Sequence, residues 1–258
     1  MIIYLVSLII FVLLLNNFLL RKNILLSDTG DSHQRFASQS KVPLTGGIFI
    51  FLGLLYFIEN NIFSLILFSF LILALGTFSD LKLIKSASVR FLFQILLVAT
   101  FIFYNDIQIN DTRIDILDKI ISNSILNYFF LTFCILIVVN GSNFIDGMNT
   151  LAIGYYLLIG IFIFLLSLNQ TIDIKEISLI HILFLLIIAF ILNFINKIYL
   201  GDAGSYLLGF SFAIFLINIY NLNPTISPFF IILLLWYPCF ENLFSIIRKN
   251  ILKKSPMD

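Results

Sequence analysis

Nine runs of apolar residues follow one another along the chain, each separated from the next by a short polar stretch. They are Ile2–Leu20, Leu44–Ile58, Ile62–Phe78, Phe91–Tyr104, Leu126–Val139, Leu151–Leu168, Ile177–Phe194, Ser205–Ile219 and Pro228–Ile247. A helix crosses roughly 30 Å of hydrocarbon in about 20 residues. Backbone groups in lipid must bond within their own segment, so helices are the expected form. The pattern predicts an all-α polytopic membrane protein with about nine transmembrane helices, the second and third joined by a turn at Glu59–Asn61. One stretch has a different period. Ile107–Leu117 alternates apolar and polar residues on both sides of Asn110-Asp111, which predicts a small external hairpin, followed by an amphipathic segment to Ile125. The nearby acids Asp106, Asp111, Asp115 and Asp118 read as solvated surface. No internal repeat is evident, so a repeat-built transporter has no support at this level.

Composition agrees with the pattern. Sixty per cent of the 258 residues are hydrophobic and 11% are charged, outside the range of soluble domains. The net charge of +1 gives no basic field for nucleic acid. Cys134 and Cys239 lie inside apolar runs without CxxC spacing and read as small buried hydrophobes. Arg21 and Lys22 follow the first apolar run rather than precede it, which predicts a retained span with its N-terminus outside and not a cleaved signal. With that orientation 12 of the 15 Lys and Arg residues fall in inside loops, and Arg113, Lys119 and Lys175 fall outside. The asymmetry predicts a multi-pass membrane protein with loops 21–43, 79–90, 140–150 and 196–204 and the tail from Arg248 on the inner, cytoplasmic face.

Those inside loops carry the chemistry. Asn140, Asn143 and Asp146 recur every three residues and would share one face of a helix. Gly147 allows a break, and Asn149 follows. Amide and carboxylate oxygens can hold Mg²⁺, and the Asn149 amide can both donate to and accept from a nucleobase edge. A capping region needs fewer polar groups than this. In Gly201-Asp202-Ala203-Gly204-Ser205 two glycines bracket an acid. It reads either as a turn with an Asp cap or as a metal ligand for Mg²⁺, which binds through one or two protein oxygens and takes the rest of its shell from phosphates and water. Asp80, followed by Lys82, Lys85 and Arg90, reads as a solvated interfacial pair or as a carboxylate held near phosphate with cations beside it. Gly46-Gly47 either lets two helices approach closely or bares amides for an anion. His33 reads as a solvated loop residue and His181 as interfacial or packed. Glu241, within the last run, needs a partner or a proton if buried.

In order along the chain, PLTGG (Pro43–Gly47), SDLKLIKSASVRFLFQ (Ser79–Gln94), NGSNFIDGMNTLAIG (Asn140–Gly154), YLGDAGSYLLG (Tyr199–Gly209) and YPCFENLFSIIRKNILKKSP (Tyr237–Pro256) resemble the polyprenyl-phosphate N-acetylhexosamine-1-phosphate transferases of glycosyltransferase family 4. That group includes the undecaprenyl-phosphate GlcNAc-1-phosphate transferases and the phospho-N-acetylmuramoyl-pentapeptide transferases. The resemblance implies a single integral-membrane transferase domain over 1–258, a fold of ten or eleven transmembrane helices and a cytoplasmic active site. It implies attack by a polyprenyl (undecaprenyl) phosphate on a UDP-N-acetylhexosamine, with Mg²⁺ and release of UMP, in cell-wall or lipopolysaccharide biosynthesis. It further implies Asp80, Asp146 and Asp202 as catalytic, Asn143 and Asp202 as metal ligands, and Asn140, Asn149, Gly147, Lys82 and Arg90 as substrate-binding. Membrane lipid is a partner by location, and a homodimer stays open.

Two departures stand against the family pattern. Ser79-Asp80 replaces a pair of aspartates, and serine can donate a hydrogen bond but cannot serve as a base near neutral pH. The chain also stops where the family continues into an Arg/His-rich loop and a further helix. A second reading is therefore a catalytically impaired relative that binds UDP-sugar or lipid phosphate. A third, a transporter, would need these polar groups at mid-membrane depth, whereas nearly all of them sit at the inner ends of runs.

Overall fold

The computed structural model describes residues 2–27, 41–57, 63–172 and 176–251. The Glu59–Asn61 turn, His33, Arg35, Lys175, Lys253 and Lys254 lie outside the described residues. The described chain is helical, without strands: α1 (Ile2–Lys22), α2 (Gly46–Phe57), α3 (Phe63–Asp80), α4 (Ala87–Tyr104), α5 (Asp115–Ile121), α6 (Ser124–Ile145), α7 (Leu151–Leu168), α8 (Glu176–Phe194), α9 (Gly201–Leu222), α10 (Pro228–Leu234) and α11 (Trp236–Ile251). Every predicted apolar run contains helix among its described residues, and the protein is an all-α polytopic membrane protein. Among the described residues six helices are long and apolar enough to cross, or seven if α10 and α11 form one bent span, so the expected count of nine is not confirmed; 46–56 and 179–194 are shorter apolar helices.

The helix α9 is the axis of the bundle. It packs against α6, α3 and α2, and 78% of its span is buried, against 22% for the peripheral α4. Paired glycines make the α2 approach close. A Cβ on Gly47 would fall 2.6 Å from the backbone N of Gly204, so of the two readings of Gly46-Gly47 the close helix approach is the one that the packing favours.

The ends of the helices are set by local chemistry. Ser86 caps α4 by accepting from Val89 N at 3.5 Å. Asn123 caps α6 by accepting from the backbone N–H groups of Ile125 (3.0 Å) and Leu126 (3.3 Å). The predicted last span, Pro228–Ile247, is bent by 65° between α10 and α11. Pro238 explains the break, because it has no N–H for the carbonyl of residue 234 and its ring would clash there. That carbonyl, on Leu234, instead accepts from the Tyr155 hydroxyl at 2.5 Å. Glu241 lies on the bent-away α11, only partly buried.

The external hairpin is a correction. Residues 107–114 run without strand pairing, and α5 follows. Their backbone is satisfied by side chains from neighbouring helices. Asn127 donates to Ile109 O (2.7 Å) and accepts from Ile109 N (3.1 Å), and Asn221 donates to Gln108 O (3.0 Å). Once those side chains hold the segment, no partner strand is needed. The surface acids close local turns, as where Asp118 accepts from Thr112 N (2.7 Å) and Thr112 Oγ1 (2.6 Å). This stretch meets the far end of α9. The end of α3 and the starts of α4 and α9 meet at the opposite end of the bundle, together with the end of α6.

Candidate active site

The helix α9 begins without a local cap. Its N-cap position is Leu200, which offers no side-chain oxygen, and the next residue, Gly201, has φ +65°. The free amides are taken by a residue 122 positions earlier. Asp80, the last residue of α3, accepts from the backbone N–H of Asp202 (Oδ1, 2.9 Å) and of Ala203 (Oδ2, 3.1 Å). A carboxylate at a helix N-terminus is favoured both by the unpaired N–H groups and by the helix dipole. A Cβ at position 201 would lie 2.6 Å from Asp80 Oδ2, so glycine is required for this clamp as well as for its backbone angle.

The clamp aims Asp202 at α3 and α4. Asp202 Oδ2 accepts from Ser79 Oγ at 2.5 Å and from Arg90 Nη1 at 2.6 Å, and the same Arg90 Nη1 donates to Ser79 Oγ at 2.5 Å. Arg90 and Asp202 thus form an ion pair whose side chains are 23% and 21% exposed. Asn143, near the end of α6, completes the other side. Its Oδ1 accepts from Ser205 Oγ at 3.2 Å, its Nδ2 donates to the Tyr206 hydroxyl at 3.4 Å, and that hydroxyl lies 3.5 Å from Asp202 Oδ2. The carboxyl of Asp146, which ends α6, is raised well above the usual carboxylate range, first by burial and then by repulsion from Asp80 and Asp202. The ends of α3 and α6 and the starts of α4 and α9 therefore bring three acids and one arginine to one place.

The remaining predicted residues take more peripheral positions. Lys82 lines a polar cleft of about 360 Å³ with Asp80, Asn23 and Lys41, and Lys41 Nζ donates to Asn23 Oδ1 at 2.9 Å. Asn140 lies about one and a half turns inside the end of α6, where its Nδ2 donates to Gln94 Oε1 and Leu136 O, both at 2.9 Å. Asn149 is exposed, and its Nδ2 donates to Asn196 Oδ1 (2.8 Å) and to the Tyr199 hydroxyl (3.0 Å). Those two partners lie in the stretch that leads into α9. Gly147 is exposed and uncrowded; the nearest atom to a Cβ there is Phe144 O at 3.7 Å.

Sequence reasoning did not single out Asn16, Tyr206 or Gln94. Asn16 is buried in α1, donates to Lys197 O at 2.8 Å and accepts from Thr45 Oγ1 at 2.7 Å. It ties the first span to the loop that precedes α9, and the signal was a polar side chain inside an apolar run. Tyr206 and Gln94 each lie four residues beyond a candidate charge, Asp202 and Arg90, which is the spacing of neighbours on a helix face.

Among the described residues no three His, Cys, Asp or Glu side chains form a metal-holding group. Asp202 Oδ1 and Asn143 Oδ1 are nonetheless hard oxygen donors of the kind that Mg²⁺ takes, in surroundings where acids outnumber the arginine.

Residues 62–220 match the family described as Glycosyl transferase family 4, a stretch that contains Asp80, Arg90, Asn140–Thr150 and Asp202. The chain is also 31% identical over 234 residues to the "Probable undecaprenyl-phosphate N-acetylglucosaminyl 1-phosphate transferase" of Bacillus subtilis (strain 168), a match that covers 84% of this chain and 62% of the relative. The chain thus corresponds to less than two thirds of that relative's length.

Proposed function

The chain belongs to Glycosyl transferase family 4, and from that premise we propose that it transfers an N-acetylhexosamine-1-phosphate, GlcNAc-1-phosphate in the first instance, from a UDP-sugar to a polyprenyl phosphate. An oxygen of the lipid phosphate attacks the β-phosphorus of the UDP-sugar. A new phosphoanhydride bond forms to the lipid, the bond between the α- and β-phosphates breaks, and UMP leaves. The observation that carries this reading is the meeting of Ser79, Asp80, Arg90, Asn143 and Asp202 at one end of a membrane bundle, where a lipid-borne phosphate can meet a nucleotide.

Positioning and charge neutralisation dominate phosphoryl transfer. Asp80, with its oxygens given to the α9 amides, orients Asp202 rather than touching substrate. Arg90 offers a guanidinium to phosphate oxygens. Asn143 and Asp202 would hold Mg²⁺, and the ion when bound supplies Lewis-acid neutralisation of the diphosphate. Asn149, with Asn196 and Tyr199 around it, lines the flank where a nucleoside would lie. We take the cluster to face the cytoplasm, the side to which the charge asymmetry of the sequence points.

The test is purified protein with UDP-GlcNAc, undecaprenyl phosphate and Mg²⁺. UMP and a lipid-linked sugar should appear together, and Asp202→Ala should abolish both. Full activity in Asp202→Ala would sink the assignment of that residue. UDP-sugar binding without any product would favour the impaired relative, a reading that rests on Ser79 standing where an acid is expected.

A further inference from the structure

Among the described residues two buried N–H donors, both on α4, lack an acceptor: Arg90 Nε and Gln94 Nε2. Gln94 is 1% exposed. The orphan does not disappear if the amide is turned over. Leu136 O can only accept, so it fixes the Asn140 amide with nitrogen toward it, and the second hydrogen of that nitrogen goes to Gln94. Gln94 must therefore present its oxygen to Asn140, which leaves its NH₂ as the loose end. Arg90 and Gln94 are four residues apart on α4, one above the other on the same face and about 6 Å apart along the axis. An unpaired donor within a membrane span costs more than one that faces water, and two on one face mark a place where an acceptor belongs.

We propose that Gln94 is a substrate-binding residue whose side-chain amide donates, beside Arg90, to a phosphoryl oxygen of the reacting substrates. This rests on the sugar-phosphate transfer reading above. One donor of the pair is cationic and the other neutral, which suits an anionic oxygen that spans both. Arg90 keeps 23% of its side chain exposed and so forms the open side through which the oxygen enters; Gln94 lies one turn deeper. Two phosphates offer that chemistry, the diphosphate of the UDP-sugar and the phosphate of the lipid acceptor.

The experiment separates them. The Kd for UDP-GlcNAc and the KM for undecaprenyl phosphate are measured for wild type, Gln94→Met and Gln94→Glu, together with the melting temperature of each substrate-free protein. The expected result is a loss of about tenfold or more in one of the two constants, the affected constant naming the source, while Gln94→Met melts within a few degrees of wild type. Side-chain ¹⁵N labelling of the five glutamines gives a second readout in unmutated protein: the resonance that vanishes in Gln94→Met should shift when that substrate is added. Both constants unchanged in the variants, with an unmoved resonance, would overturn the proposal and leave the amide to an internal water. A wild type that neither binds nor turns over would instead remove the transfer reading, and the proposal with it.

Discussion

Replacing Ser79 with aspartate puts a second carboxylate where a hydroxyl now mediates between two charged groups. Ser79 Oγ donates to Asp202 Oδ2 at 2.5 Å and accepts from Arg90 Nη1 at 2.5 Å. At an effective dielectric of about 20, two unit charges about 4 Å apart repel by ~4 kcal/mol. Arg90, shared between two acids, recovers part of this, leaving a net cost on the order of 2 kcal/mol. A divalent cation between the two carboxylates reverses the sign. Thermal unfolding in detergent is the assay, first in EDTA and then across a Mg²⁺ titration. Ser79→Asp should melt below wild type in EDTA and gain more from Mg²⁺ than wild type gains. Identical melting in EDTA, with the same Mg²⁺ response in both proteins, would refute the placement of Asp202 against residue 79 as a metal-side ligand.

Three further outcomes follow from the same geometry. Gly201→Ala combines a left-handed backbone, which costs about 1–2 kcal/mol for an L residue, with a Cβ 2.6 Å from Asp80 Oδ2, and should lower both melting temperature and transfer rate, the rate by about tenfold or more. Asn16→Leu strands the Lys197 carbonyl and the Thr45 hydroxyl at a cost of about 1–3 kcal/mol, read as a fall in melting temperature from a substitution made in α1. Asp146 binds its proton more tightly in the folded protein than in the unfolded one, so without Mg²⁺ it lowers stability as pH rises from the ordinary carboxylate range toward its raised value. Asp146→Asn should therefore melt above wild type at neutral pH, and the gap should close as the pH is lowered toward 4.

Much of the fold was legible because lipid leaves the backbone few options. Apolar runs had to be helices, and the polar residues of α6 were expected to share a face from their spacing of three. The structure extends that helix through Asn143 to Ile145, where the sequence reading had placed a loop. The span count was less legible, since the break near Pro238 depends on how neighbours pack. The 107–117 alternation misled, because a period of two records which residues face inward and not whether a strand or a set of Asn side chains takes up the backbone. Within the site, residue types pointed to Asp202, Asn143 and Arg90. The role of Asp80 as the cap of a helix 122 residues later could not be read from any local pattern, and Ser79, which stood out as a missing acid, occupies the centre of the Arg90–Asp202 pair.

The central claim, transfer of sugar and phosphate together at the Asp202 cluster, is tested most directly by following the β-phosphorus. UDP-GlcNAc labelled with ³²P in the β-phosphate is incubated with undecaprenyl phosphate, Mg²⁺ and either wild type or Asp202→Asn. The label is expected in the lipid product, with unlabelled UMP released, and in neither when Asp202 is replaced. Label recovered in free UDP beside a glycosylated lipid, or label transferred equally by Asp202→Asn, would contradict it.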